Sequence, residues 1–259
     1  EDAPERRYIK ILNPISEDLS VMRTTLAPSM INLMIRNMKK GNYEGCVYEL
    51  AKVYLAKELP IKDFPEERRM LCIGMWGACT FFELKGVCEA VAESLNVKFT
   101  YEHTEKSFLH PGITAKILCE GQEVGYLGLV NPPVSEALAA ERPMLVAEIN
   151  YEILCEHAKP FRYSPLPHFP EAQRDLALIA DKEITCEQIE NEIRSACKYV
   201  TDVKLFDIYS GNQIAEGKKS MAYTLTFTPK DEALTGEKID GFVKKILSNL
   251  QYKLNVVLR

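Results

Sequence analysis

The sequence predicts an α+β protein in two parts: an antiparallel-sheet module with separately placed helices, then a smaller unit in βαββαβ order. In the first part strand-like segments outnumber helical ones, and the helices fall between groups of strands rather than after each strand. Prolines at 165, 167 and 170 mark an extended connector, since proline fixes φ and donates nothing to a ladder. The boundaries that follow are residues 1–158 for the first part, 159–169 for the connector and 170–259 for the second part.

Each element has a local reason. Leu26, Met30, Leu33, Met34 and Met38 recur at helical spacing and predict an amphipathic helix over 28–39. The runs 46–56 and 69–77 read as strands. Leu84, Val87, Cys88, Val91 and Leu95 form one stripe of a helix over 81–96. Short strands follow at 98–103, 113–121 and 122–130, with glycine at the turns. A short helix over 131–140 enters through proline, and 144–154 runs from a strand into a helix. In the second part 173–181 is a strand. Residues 185–198 form a helix with Thr185 as N-cap and Gln188 three residues on. Strands at 200–210 and 220–229 flank a glycine-bearing loop, and a helix over 234–255 leads to a last short strand, 256–259. The βαββαβ order is that of the ferredoxin-like fold.

Composition removes several function classes. The 259 residues are 46% hydrophobic and 27% charged, the balance of a globular protein with a sizeable core. No apolar run approaches the ~20 residues a membrane helix needs. With no signal peptide either, the expected location is cytoplasmic and no membrane partner is expected. The chain begins with Glu1 rather than Met, so it is expected to be a portion of a longer one. Net charge is −5, and residues 163–259 hold 13 Lys and Arg against 14 Asp and Glu, so any nucleic-acid contact must rest on local geometry. The eight cysteines, at 46, 72, 79, 88, 119, 155, 186 and 197, include no C-x-x-C pair, and none of the four histidines sits near one. They are expected to be buried reduced thiols, with no metal site.

Strand parity then describes one face. A βαββαβ unit packs both helices on one side of its sheet and leaves the other free. Leu176 and Leu178 are apolar and face the helices, so Asp175, Ala177 and Ile179 face out. Phe206 and Ile208 are expected to face in, leaving Leu205, Asp207 and Tyr209 out. Met221, Tyr223, Leu225 and Phe227 face in, leaving Ser220, Ala222, Thr224 and Thr226 out. Such a face suits a flat heteroaromatic ligand. The Tyr209 ring is a stacking platform. The Asp207 carboxylate only accepts hydrogen bonds, so it selects an edge with two adjacent donors, as in guanine N1–H and N2–H₂. Lys218 and Lys219 are candidate phosphate contacts.

The segments "HFPEAQRDLALIAD", "VKLFDIYSGNQIAEGKKSMAYTLTF" and "VVLR" resemble the ferredoxin-fold anticodon-binding domain of the bacterial phenylalanyl-tRNA synthetase beta subunit. "NPISEDLSVMRTTLAPSM", "FFELKGVCEAV" and "LHPGITAKILCEGQEVGYLGLVNP" resemble that subunit's catalytic-like module, a class II synthetase fold. The resemblance runs along essentially the whole chain, in order. It implies the C-terminal portion of the subunit, with tRNA(Phe) as partner. It implies that Ala177, Asp207, Tyr209 and Ser220 contact the anticodon, whose first base is guanine, with Arg174 and Lys219 as weaker candidates. It also implies docking to the catalytic alpha subunit within an alpha2-beta2 heterotetramer that uses ATP and magnesium.

Catalysis by this chain is not expected. Class II sites meet the charge that develops on phosphate with one arginine in the second signature motif and another in a glycine-rich third motif. The corresponding stretches here, "YELAKVYLAKELP" and "LVAEINYEIL", carry no arginine, and none occurs between Arg69 and Arg142. Arg23 reads as structural, because one arginine cannot replace a two-point clamp. His110 reads as a turn residue, and Trp76 with Met22, Met30, Met34 and Met38 as packing. No cofactor is expected on this portion. Two other readings stay open: a ferredoxin-like module that binds a small regulatory metabolite, and a scaffold without RNA binding.

Overall fold

The computed structural model describes residues 6–163, 168–211, 213–229 and 233–259, so Pro165 and Pro167 of the expected connector lie outside the described residues. The chain divides into two compact units, Glu1–Arg162 and Tyr163–Arg259.

In the first unit the methionine-rich stretch forms α1 (Ala27–Met38), with a proline in its first turn and Met30, Met34 and Met38 buried. A hairpin of β1 (Gly45–Leu55) and β2 (Glu66–Trp76) follows, in unbroken register from Gly45↔Trp76 to Leu55↔Glu66. Thr80 caps α2 (Phe81–Ser94): its hydroxyl accepts from the Glu83 N–H at 3.3 Å, and the Glu83 carboxylate accepts from the Thr80 N–H at 2.6 Å. Then come β3 (Phe99–His103), β4 (Leu109–Cys119), β5 (Gln122–Val130), α3 (Pro132–Ala137), β6 (Met144–Asn150) and α4 (Tyr151–Glu156). The six strands form one antiparallel sheet in the order β1-β2-β6-β5-β4-β3. One face packs Leu71, Ile73, Leu127 and Ile149 against Leu84, Cys88 and Leu154 of α2 and α4. The other packs Cys72, Trp76, Met144 and Val146 against α1. That second contact is close: a Cβ at Gly74 would lie 2.7 Å from the Met30 side chain.

The second unit comprises β7 (Ala172–Asp181), α5 (Cys186–Ala196), β8 (Val200–Tyr209), β9 (Lys218–Phe227), α6 (Gly236–Leu254) and β10 (Val257–Leu258). The expected capping box on α5 is present, with Thr185 and Gln188 exchanging both bonds. The sheet is antiparallel in the order β10-β7-β9-β8, which is the ferredoxin-like arrangement. Leu176, Leu178, Met221, Tyr223, Leu225 and Phe227 pack against Ile189, Ile193, Ile239, Ile246 and Leu250 of the two helices. Asn255 adopts the left-handed conformation (φ 54°) that ends α6 and turns the chain into β10.

One expectation about parity fails. The β8–β9 ladder shifts between Leu205 and Asp207, leaving Phe206 as an extra, unpaired residue. Leu205 therefore lies opposite inward-facing Tyr223 and packs on the core, while Phe206 is 55% exposed. Past the bulge Asp207 pairs with Ala222, Ile208 with Met221 and Tyr209 with Ser220. The cysteine expectation also needs correction: Cys72, Cys88, Cys119 and Cys197 are buried, but Cys46 and Cys155 are exposed. Among the described residues no helix is long and apolar enough to cross a membrane.

Candidate nucleic-acid interface

The ladders of the second unit align two rows on the face away from α5 and α6. One row runs Asp207, Ala222, Ala177 and then Arg259, whose N–H donates to the Ala177 carbonyl at 2.8 Å. The next runs Tyr209, Ser220, Ile179, Val257. Asp207 and Tyr209 thus share the open face, with two alanines beside the acid and no bulky side chain in that row until the far edge. Tyr209 remains 39% exposed, whereas Ser220, directly opposite it, is only 4% exposed and forms floor rather than rim. The tyrosine ring lies close over the following loop. A Cβ on Gly211 would sit 2.1 Å from its hydroxyl, so glycine is what lets the ring take that position.

The cationic candidates separate. Adjacent strand residues point to opposite faces, so Lys218 and Lys219 cannot act together. Lys218 is on the open face and pairs with Asp181 at 3.0 Å. Lys219 lies opposite buried Ala180, on the helix side. Arg174 also points to the helix side, 3.7 Å from Asp240 of α6, and braces the sheet rather than the open face. Among the acids of that face, Asp175 accepts from the Thr224 hydroxyl at 2.7 Å.

Two residues were missed in the sequence. Arg259 reaches the open face from the last strand. Its guanidinium carbon lies 5.9 Å from the Tyr209 ring centroid, and one nitrogen donates to Gln213 Oε1 at 2.9 Å. The signal available was the alternation Val257, Leu258, Arg259, but only the pairing of Leu258 with Leu178 says which set faces out. In the first unit Glu148 is 2% exposed inside the apolar run of β6. It accepts from the Thr25 hydroxyl (2.5 Å), the Leu26 and Ala27 N–H groups (3.0 and 3.2 Å) and the Tyr126 hydroxyl (2.9 Å). Burial first and the Glu148 charge second push the Tyr126 phenol far up, keeping it a donor.

Three polar groups of the first unit are committed to local structure. Arg23 is committed to structure: Nε donates to the Lys52 carbonyl at 3.0 Å and Nη1 to Glu49 at 2.7 Å. The Glu148 carboxylate is filled by the four donors above. His110, expected in a turn, instead lies in β4 where the β4–β5 register shifts between Leu109 and Thr114, and it accepts from the Gly112 N–H at 3.0 Å. Among the described residues no group of three His, Cys, Asp or Glu could hold a metal ion.

Comparison with known families follows the same division. Residues 1–151 match the phenylalanyl tRNA synthetase beta chain CLM domain, and residues 167–259 match the ferredoxin-fold anticodon binding domain. The chain belongs to the phenylalanyl-tRNA synthetase beta-chain family. The phenylalanine–tRNA ligase beta subunit of Clostridium acetobutylicum is 38% identical over 263 residues, which is 100% of this chain and 33% of that one. The Listeria monocytogenes beta subunit is 36% identical over 98% of this chain and 33% of its own length. The Bacillus subtilis beta subunit is 31% identical over 95% and 32%. The chain thus spans about a third of the length of the curated relatives it matches.

Proposed function

We propose that the second unit reads the anticodon of tRNA(Phe) and that the first unit docks the catalytic alpha subunit of phenylalanine–tRNA ligase. The observation that carries the first half is the joint presentation of Asp207 and Tyr209 beside the Ala222–Ala177 floor. The first anticodon base, guanine, stacks on the Tyr209 ring, a contact worth ~1–3 kcal/mol. Its N1–H and N2–H₂ donate to the Asp207 carboxylate, which has no hydrogen bond or ion pair among the described residues. Ala177 and Ser220 line the contact, and Lys218 is the one lysine of its pair placed to meet a phosphate.

The docking half is supported by apolar surface. β1 is an edge strand that presents Cys46, Tyr48 and Leu50 together on one exposed face, and Leu12 and Ile15 stand fully open in the preceding segment. In the alpha2-beta2 assembly ATP and magnesium belong to the alpha subunit, and this portion supplies position rather than chemistry. A cytoplasmic setting agrees with eight unpaired thiols.

The test is titration of tRNA(Phe) and of a variant with cytosine at the first anticodon position. A preference of ~1–3 kcal/mol for guanine is the scale set by a bidentate contact. Tyr209→Ala weakens both RNAs, and Asp207→Asn erases the difference between them. Equal affinities throughout would leave the metabolite or scaffold reading. Failure to capture alpha subunit at micromolar concentrations would remove the docking half.

A further inference from the structure

We propose that Arg259, directly after β10, is a second specificity-determining residue of this face and takes the O6–N7 edge of the guanine whose N1–H and N2–H₂ edge Asp207 takes. The proposal rests on the anticodon reading above. Four observations lead to it. Asp207, Ala222, Ala177 and Arg259 occupy one cross-strand row on the open face, acid at one end and guanidinium at the other. Neighbouring strands lie ~4.8 Å apart, so three steps separate the two ends by roughly 14 Å. Two methyl groups floor that interval, leaving room for a flat purine reached by one side chain from each end. The guanidinium does not point away into water: Gln213 holds it at 2.9 Å and it lies 5.9 Å from the Tyr209 centroid, within cation–π range of the platform. Finally, neither Asp207 nor Arg259 forms an ion pair among the described residues, whereas Asp181, Asp202 and Asp240 of the same unit all do.

An acceptor pair and a donor fork facing each other across a flat floor specify the ligand chemistry. Guanine presents two adjacent donors, N1–H and N2–H₂, and two adjacent acceptors, O6 and N7. The carboxylate accepts from the first pair and the guanidinium donates to the second. Adenine offers a donor where guanine has O6, and the pyrimidines have no N7. A phosphate could use the same donor fork, and the test separates the two sources.

Anticodon stem–loop RNAs of tRNA(Phe) carrying guanine, 7-deazaguanine, hypoxanthine or cytosine at the first anticodon position are titrated against the 259-residue chain and against Arg259→Ala, Arg259→Lys and Asp207→Asn. In the unaltered chain 7-deazaguanine, which lacks only the N7 acceptor, binds about five- to tenfold more weakly than guanine. That penalty disappears in Arg259→Ala and shrinks in Arg259→Lys, whose ammonium can still donate to N7 but lacks the planar fork. It persists in Asp207→Asn, where the hypoxanthine penalty disappears instead. The backbone bond to Ala177 survives every Arg259 substitution, and unchanged melting temperatures confirm the fold. No 7-deazaguanine penalty in the unaltered chain would overturn the proposal, as would an equal penalty with and without Arg259. An Arg259→Ala loss that is uniform across the four RNAs and vanishes in high salt makes Arg259 a phosphate contact and overturns it too. Loss of the guanine–cytosine preference in the unaltered chain marks the separate failure of the anticodon reading.

Discussion

Replacing Glu148 with glutamine tests what secures α1 to its sheet. Leu26 occupies the N-cap of that helix and has no side-chain oxygen to offer. The cap comes instead from β6: Glu148 Oε1 accepts from the Leu26 N–H, and Oε2 accepts from the Ala27 N–H and the hydroxyls of Thr25 and Tyr126. Glutamine keeps one oxygen and puts an amide nitrogen where the other stood. The two hydroxyls can rotate and accept from that amide, but the Ala27 N–H then faces a donor. One buried unsatisfied N–H costs about 1–3 kcal/mol, and losing the charge from the remaining bonds adds about 1 kcal/mol. The expected loss is therefore ~2–4 kcal/mol, and Tyr126→Phe, which removes one donor only, costs ~1 kcal/mol. Trp76 is the sole tryptophan and is buried against α1, so its fluorescence during urea unfolding reports the first unit selectively. A Glu148→Gln loss below ~1 kcal/mol would refute the claim that this carboxylate is the helix cap.

Three further outcomes follow from the same structure. Leu205→Asp destabilises the second unit by ~2–4 kcal/mol and Phe206→Asp by less than ~0.5 kcal/mol, read from hydrogen exchange of β9 amides; the reverse order would restore unbroken parity and remove the bulge. Gly211→Ala leaves the melting temperature unchanged but lowers affinity for tRNA(Phe) severalfold, because the new Cβ displaces the far end of the Tyr209 side chain. In native protein at pH 8, mass spectrometry after brief alkylation finds label on exposed Cys46 and Cys155 and none on Cys88. Burial raises the Cys88 thiol to about 12, so its reactive thiolate is scarce until pH approaches that value or the unit unfolds.

Most element positions were legible because their periodicity is local. The methionine stripe gave α1, and the Thr185–Gln188 pair gave the start of α5. Parity held on β7 and β9, whose ladder is unbroken from Ala172↔Phe227 to Asp181↔Lys218. What could not be read depends on pairings between distant segments. Glu148 lies 122 residues from the Leu26 N–H it satisfies, and a lone acid in an apolar strand gives no hint of that partner. Arg259 joins the open face only because β10 sits beside β7 rather than at the other edge. The lysine doublet at 218 and 219 was open to correction from the sequence, since neighbours on a strand diverge.

The bulge in β8 had a signal too, and its logic ties fold to site. From Val203 onward the apolar residues of this strand fall at 203, 205, 206 and 208, so the apolar stripe changes phase at the Leu205–Phe206 doublet. In an unbroken strand Val203, Leu205, Asp207 and Tyr209 would all share one face. Either Val203 and Leu205 would be turned to solvent, or the carboxylate would be forced beneath the helices, at a cost of several kcal/mol. One extra residue resolves the conflict. With Phe206 unpaired, Val203 and Leu205 face Leu225 and Tyr223 in the core, while Asp207 and Tyr209 face Ala222 and Ser220 outside. β8 is an edge strand, with a neighbour on one side only, so the irregularity breaks a single ladder. The strand thus anchors the core with its first half and presents a ring and an acid with its second, and it changes task at the second of the two places where the ladder slips.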